Sequence, residues 1–254
     1  MEDIAKESKL KKMMAYICAS LVIFILISIF FTYHLGYRLK DNFTIGKIGH
    51  LNISIPFPLT SIYIDNSHKI ETSIENEAVT VPLSPKTHSI IVAREGYFPW
   101  TKSFSVPSNG NITVSPIFVS QNPSGVIITQ RDPEYWEIRS SIIRYLTPTK
   151  NYPLLSSDKK TSLWIDDNAI YVKTGENVTK VMQPDNIVRN VSFYKDRNDV
   201  IIFSIANSIF VIETDTTSTQ NSMPVYRGTE PNFVKADQNF IYVLDGDLLM
   251  QVSI

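Results

Sequence analysis

The residues best suited to chemistry by type and spacing are three close pairs of acids: Asp166 with Asp167, Asp196 with Asp199, and Asp245 with Asp247. Two carboxylates facing one cleft can hold a calcium ion or share the acid and base roles of glycoside hydrolysis. Each pair here sits beside a predicted hairpin turn, where aspartate is favoured because it hydrogen-bonds its own backbone. Turn chemistry is the leading reading, and Tyr194-Lys-Asp-Arg-Asn-Asp199 reads the same way, as a charged hairpin tip. The four histidines, His34, His50, His68 and His88, are scattered without a second ligand at metal spacing. Cys18 is the single cysteine and lies in an apolar run, so the remainder has neither a disulfide nor thiol chemistry. The chain contains no Gly-x-Ser-x-Gly elbow, no His-Glu-x-x-His and no glycine-rich phosphate loop. No catalytic, cofactor-binding or metal-ligating residue is assigned, and the expectation is a non-enzyme without a cofactor.

The remaining candidates are aromatic. In Gly96-Tyr97-Phe98-Pro99-Trp100, Gly96 can take positive φ at a strand end and Pro99 fixes the chain beyond it. Tyr97, Phe98 and Trp100 then either cap a core or form a patch for a protein or glycan. Asn42, Asn52, Asn111, Asn177 and Asn190 each begin an Asn-x-Ser/Thr triplet, which matters only in a eukaryotic secretory pathway.

The elements that must position these residues begin with Met13 to Tyr33, which carries no charged side chain and is interrupted only by Ser20, Ser28 and Thr32. A helix of this length spans about 30 Å, the thickness of a bilayer core. The run is too long for a signal-peptide core, and Thr32-Tyr33-His34 offers no small-residue cleavage site. An uncleaved anchor over 13–35 is expected, contacting lipid after a cytoplasmic tail over 1–12. Lys6, Lys9, Lys11 and Lys12 precede it, against Arg38, Lys40 and Lys47 beyond it, a slight bias toward a cytoplasmic N-terminus and extracytoplasmic C-terminal domains.

A formal net charge of −1 gives no basic field for nucleic acid. With 43% hydrophobic residues the 254-residue chain can bury one or two cores beyond the anchor. After a juxtamembrane linker over 36–48, short β-type runs follow one another: Leu51, Ile53 and Ile55 in alternation, then Ser61 to Asp65, Ala78 to Leu83, Ser89 to Ala93 and Lys102 to Val106. Such spacing points to an antiparallel sandwich.

The stretch from Gly49 to about Val106 resembles a PEGA domain, a small β-sandwich module of prokaryotic surface and envelope proteins. The resemblance rests on Leu51-Asn-Ile53-Ser-Ile55-Pro56, Ile62-Tyr63-Ile64-Asp65, Leu83-Ser-Pro85, and His88-Ser-Ile-Ile-Val92 with Glu95-Gly96-Tyr97-Phe98-Pro99-Trp100. Phe57-Pro58-Leu59-Thr60 stands where the name-giving tetrapeptide would be. The resemblance implies a structural or binding module and no catalytic residue. With the anchor and the repeats described next, the order of parts is similar to that of envelope proteins from small-genome bacteria.

A linker-like region over 116–160 leaves Arg131 to Arg144 open between helix and strand. Beyond it, Asn168-Ala-Ile-Tyr-Val172 recurs as Asn207-Ser-Ile-Phe-Val211 and Asn239-Phe-Ile-Tyr-Val243, each copy following a strand-like run across an Asn/Asp turn. Self-similarity near 40 residues marks four-stranded propeller blades, but a closed propeller needs about 4–8 of them. The expected fold is therefore mainly β: one N-terminal transmembrane helix, a small antiparallel β-sandwich over 49–115, and an incomplete β-propeller-like repeat domain over 161–254. Open sheet edges make self-association an expected mode of assembly. The function expected is a membrane-anchored envelope protein that binds or scaffolds a protein or wall glycan. The alternatives are a membrane-tethered glycan hydrolase using paired carboxylates, and a sensor, for whose output domain a dozen-residue tail leaves no room.

Overall fold

The computed structural model describes residues 2–40, 43–74 and 77–254. The triplet at Asn42 lies outside them, as do the side chains of residues 2–11, 68 and 77. In chain order, helix α1 (Glu2–His34) leads to β1 (Tyr37–Leu39), β2 (Ile45–Lys47), β3 (Gly49–Ile55), β4 (Ser61–Ile64), β5 (His68–Glu71), β6 (Glu77–Leu83), β7 (Thr87–Ala93), β8 (Trp100–Ser105) and β9 (Asn111–Val114). There follow β10 (Gly125–Ile128), α2 (Tyr135–Ile143), β11 (Leu154–Leu155), β12 (Thr161–Asp166), β13 (Ala169–Thr174), β14 (Asn177–Met182) and β15 (Val188–Phe193). The last elements are β16 (Val200–Ile205), β17 (Ser208–Glu213), β18 (Ser222–Arg227), β19 (Asn232–Lys235), β20 (Phe240–Asp245) and β21 (Leu248–Ser253). The protein is mainly β, with one N-terminal apolar helix and several small sheets, none closed into a barrel. It divides into two compact units, and the strands of 49–115 are shared between them.

The first unit comprises residues 1–54, 78–88 and 105–115. Its helix starts at Glu2, so residues 2–12, expected as a tail, are helical and continuous with the apolar run. The stretch Lys12–His34, whose most apolar 18 residues have a mean hydropathy of 2.7, is long and apolar enough to cross a membrane. Its hydroxyls turn back on their own helix: Ser20 donates to Ile17 O, Ser28 to Phe24 O and Thr32 to Ser28 O, at 2.9–3.0 Å. Polar groups in an apolar medium need such internal partners. The helix stops at Gly36, which takes φ +80° while its N–H donates to Tyr33 O. Arg38 reaches back, donating to Tyr33 O at 2.8 Å with its guanidinium 3.4 Å from the Tyr33 ring centroid.

The hairpin β1–β2 follows, then a three-stranded sheet in the order β6-β3-β9. β3 buries Leu51 and Ile53 and turns His50, Asn52 and Ser54 outward to differing degrees, as its alternation predicts. Its partner β9 runs parallel to it, pairing His50 with Asn111 and Ile53 with Val114, where only antiparallel neighbours were expected. The long connection between these strands removes the hairpin constraint that would have made them antiparallel.

The second unit comprises residues 55–77, 89–104 and 116–254. Its first sheet has the order β5-β4-β7-β8 and buries Ile62, Ile64, Ile90, Val92 and Trp100. Three four-stranded antiparallel sheets follow, ordered β11-β12-β13-β14, β15-β16-β17-β18 and β10-β21-β20-β19. The third is completed from outside the repeat run: β10 pairs with the terminal β21, Gly125 opposite Val252 and Ile128 opposite Leu249. The segment left open in the sequence forms α2, whose Tyr135, Ile138 and Ile142 pack with Leu249, Val234 and Tyr242.

The repeats also acquire a corrected register. Asn168 and Asn207 each occupy the second position of a two-residue hairpin leading into the third strand of a sheet. The third sequence copy, at Asn239, opens the second strand of its sheet instead, after a longer loop in which Asp237 accepts from the N–H groups of Asn239 and Phe240. The structural equivalent is Asp247, in the two-residue hairpin between Asp245 and Leu248. Residues 168, 207 and 247 stand 39 and 40 apart, so the 32 residues between Asn207 and Asn239 reflect a change of strand.

Candidate functional site

The acidic pairs do not converge. Asp167 belongs to a hairpin turn with φ +47°. Asp199 accepts from Arg197 Nε at 2.9 Å and Nη2 at 2.7 Å, while Asp196 accepts from Lys235 at 3.2 Å and from Gln238. Asp245 receives the N–H groups of Thr229 and Glu230 and the Tyr226 hydroxyl, whereas Asp247 lies 3.6 Å from Arg139. Although burial opposes it, these donors and Arg189 pull the Asp245 carboxyl below the usual range. Among the described residues no three His, Cys, Asp or Glu side chains lie together as a metal set. His88 is buried, with Nε2 2.9 Å from Ser84 O.

The three aromatic candidates separate. Gly96 takes φ +79° in the expected turn. Tyr97 is half-buried, its ring 5.5 Å from Phe57 and 6.0 Å from Phe118, with the Arg94 guanidinium 4.9 Å from its centroid. Phe98 lines a groove of about 380 Å³ together with Gln121, Pro123, Tyr226 and Arg227. Trp100 follows the core alternative and not the patch: only 2% exposed, its indole N–H donates to the buried Glu213, so it holds the fold and offers no surface. A tryptophan opening a strand looks the same in sequence whether a distant partner covers it or not.

A different groove has the composition of a binding site. β12 and β13 pair Ser162 with Lys173 and Trp164 with Tyr171. Successive strand residues alternate faces, so Leu163, Ile170 and Val172 enter the core while Ser162, Trp164, Asp166, Tyr171 and Lys173 share the opposite face. The rings of Trp164 and Tyr171 stack at 5.7 Å and 13°. With Lys150, Pro153 and Val178 these residues line a groove of about 490 Å³. Trp164 is only 6% exposed, so it backs the half-buried Tyr171 ring, which, flanked by two ammonium groups, a carboxylate and a hydroxyl, can accept the apolar face of a sugar ring and hydrogen-bond its polar edge. The sequence held one signal for it: tryptophan at the middle of Ser162-x-Trp164-x-Asp166, on the otherwise polar side of an alternating strand.

No protein-family model matches the chain, and no curated protein matches it. The likeness of 49–106 to PEGA modules accordingly rests on the residues quoted above.

Proposed function

We propose that this chain is a membrane-anchored, non-enzymatic binding protein of a bacterial envelope, holding its β sheets outside the cytoplasm to engage an acidic wall glycan. The observation that carries the reading is the stacked pair Trp164 and Tyr171 in a groove rimmed by Lys150, Lys173, Ser162 and Asp166. The two lysines against one aspartate favour a ligand bearing carboxylates. The apolar helix supports the anchor, and the lysines before it support a cytoplasmic N-terminus. The PEGA-like stretch is consistent with a binding module on a cell surface. The separate engagement of Asp196, Asp199, Asp245 and Asp247 gives a hydrolase built on those pairs no support.

Binding of the full chain in detergent to sheared wall polysaccharide and to neutral polysaccharide tests this. Tyr171→Ala is expected to weaken binding to the acidic glycan about three- to tenfold, the worth of one aromatic contact. Phe98→Ala, in the other groove, leaves it unchanged. Equal binding by wild type and Tyr171→Ala overturns the assignment of the groove. Topology is read by periplasm-active and cytoplasm-active reporters fused after Ile254; activity of the cytoplasmic reporter overturns the proposed orientation.

A further inference from the structure

The hairpin that follows the apolar helix has two unlike faces. β1 and β2 pair Tyr37 with Lys47, Arg38 with Gly46 and Leu39 with Ile45. Paired residues share a face and neighbours alternate, so Tyr37, Leu39, Ile45 and Lys47 lie on one side and Arg38 and Gly46 on the other. The Gly46 side is turned inward: Gly46 is buried, and a Cβ on it would stand 3.0 Å from Pro85 Cγ and from Ser108 Oγ. The other side is exposed and apolar, with Leu39 at 54% and Ile45 at 65% exposure, and Phe43 at the turn reaches 84%. Unpartnered apolar area grouped in this way marks an interaction surface.

Its position identifies the occupant. α1 ends at His34, three residues before Tyr37, so the two are separated by at most about 10 Å of chain. With the helix in hydrocarbon, the hairpin stands at headgroup level. The segment 36–48 carries three cations, Arg38, Lys40 and Lys47, against one acid, Asp41. The Lys47 ammonium lies 5.8 Å from the Tyr37 ring centroid, an aromatic and a cation side by side. Tyrosine with lysine beside apolar side chains is the composition of a membrane-interface anchor.

We infer that Tyr37, Leu39, Phe43 and Ile45 dock on the anionic headgroup layer of the membrane that α1 crosses. The first unit is then fastened at two places, by the helix and by the hairpin, and its orientation to the membrane is fixed. This inference rests on the membrane-anchor reading, and the experiment separates the two.

The full chain, with Cys18→Ser, is reconstituted into phosphatidylcholine vesicles containing a minority of phosphatidylglycerol. A polarity-sensitive fluorophore is attached to single cysteines in Leu39→Cys, Ile45→Cys, Leu26→Cys and Leu146→Cys. Leu26 lies within the apolar helix, and Leu146 is 88% exposed in the second unit. Expected are deep quenching of the Leu26 label by nitroxide at the acyl-chain end, and shallow quenching of the Leu39 and Ile45 labels by nitroxide near the headgroup. Iodide should quench the hairpin labels several-fold less than the Leu146 label. Hairpin labels as open to iodide as Leu146, beside a lipid-quenched Leu26 label, overturn the docking and leave the anchor standing. A Leu26 label untouched by lipid nitroxide overturns both.

Discussion

The indole N–H of Trp100 donates to Glu213 Oε1 at 2.7 Å across 113 residues of sequence. The same buried carboxylate accepts from Lys102 Nζ at 3.1 Å, from the Asn221 N–H at 3.2 Å and from Asn221 Nδ2 at 3.0 Å. Asn221 in turn bonds the backbone of Thr101 in both directions, accepting from its N–H and donating to its carbonyl, as a neighbouring strand would. β8 is thereby stitched to the sheet of β17 and β18. A buried carboxylate with this many donors is stable only while they remain.

Trp100→Phe keeps an aromatic side chain but loses the second ring and one donor to Glu213, and is expected to cost about 1–3 kcal/mol. Glu213→Ala strands the Lys102 ammonium and both Asn221 donors, with an expected cost of about 3–5 kcal/mol. Chemical denaturation of the full chain in detergent measures both; the opposite ranking would show that the carboxylate is not the hub.

The acid limb of stability should carry the mark of Asp215. Burial works against its charge, but Thr217 and Lys102 hydrogen-bond it and hold the carboxyl at about 2, below the ordinary aspartate value of 3.8. A lowered folded pKa contributes stability above the unfolded value and loses it as pH falls from about 4 toward about 2. Lys102 behaves conversely. Burial opposes its charge, yet Asp215 and Glu213 raise its pKa above 10.5, so its contribution is full below that pH and lost above it. Asp215→Asn should flatten the acid limb of the denaturation midpoint against pH, and identical limbs would refute the assignment.

Ala206 and Gly246 occupy equivalent first positions of their hairpins, both in the left-handed region, at φ +46° and +61°. Gly246→Ala is expected to cost about 1–2 kcal/mol from backbone strain alone, since a Cβ there meets nothing within 4 Å. Ala206→Gly should gain up to about 1 kcal/mol, strain relief outweighing the added freedom of the unfolded chain. Thermal midpoints that move in these opposite directions would support the 39- and 40-residue register, and movement in the same direction would count against it.

Gly228 is required by crowding. A Cβ on it would overlap Asp245 Oδ2, and Asp245 cannot swing aside without releasing Tyr226, Thr229 and Glu230. Gly228→Ala is expected to cost about 1–3 kcal/mol. Burial first, and then Asp245, push the Tyr226 hydroxyl up to about 12. Phenolate absorbance in the Gly228→Ala and Asp245→Asn variants, each compared with its Tyr226→Phe counterpart, should therefore show Tyr226 ionising at lower pH than in the wild type.

Binding through the groove on β12 and β13 should weaken with salt. Lys150 and Lys173 would contribute by charge and the Trp164–Tyr171 stack would not. Raising ionic strength is expected to weaken acidic-glycan binding in the wild type and much less in a Lys150→Gln, Lys173→Gln variant, measured by the same polysaccharide assay. A salt response unchanged in the double variant would move the ligand's charge elsewhere on the protein.

Local pattern determined a good part of this protein in advance. The unbroken apolar run of 13–33 made a long helix because no polar face was available to fold against water. The alternation of Leu51 and Ile53 made β3, and the strand-like runs before the copies at Asn168, Asn207 and Asn239 became β12, β16 and β19. Asn168 and Asn207 fell at hairpins because their side chains tolerate and bond tight turns, which is a property of a few adjacent residues. Where the pattern was weak, packing decided: Tyr135, Ile138 and Ile142 become a helical face only against Val234, Tyr242 and Leu249. The parallel pairing of β3 with β9, the closing of the third sheet by β10, the burial of Trp100 on Glu213 and the Trp164–Tyr171 face were likewise tertiary decisions. Each joins residues brought together by strand pairing or by distant contact, and its stability depends on shape, charge and loop-closure entropy that no local window of sequence contains.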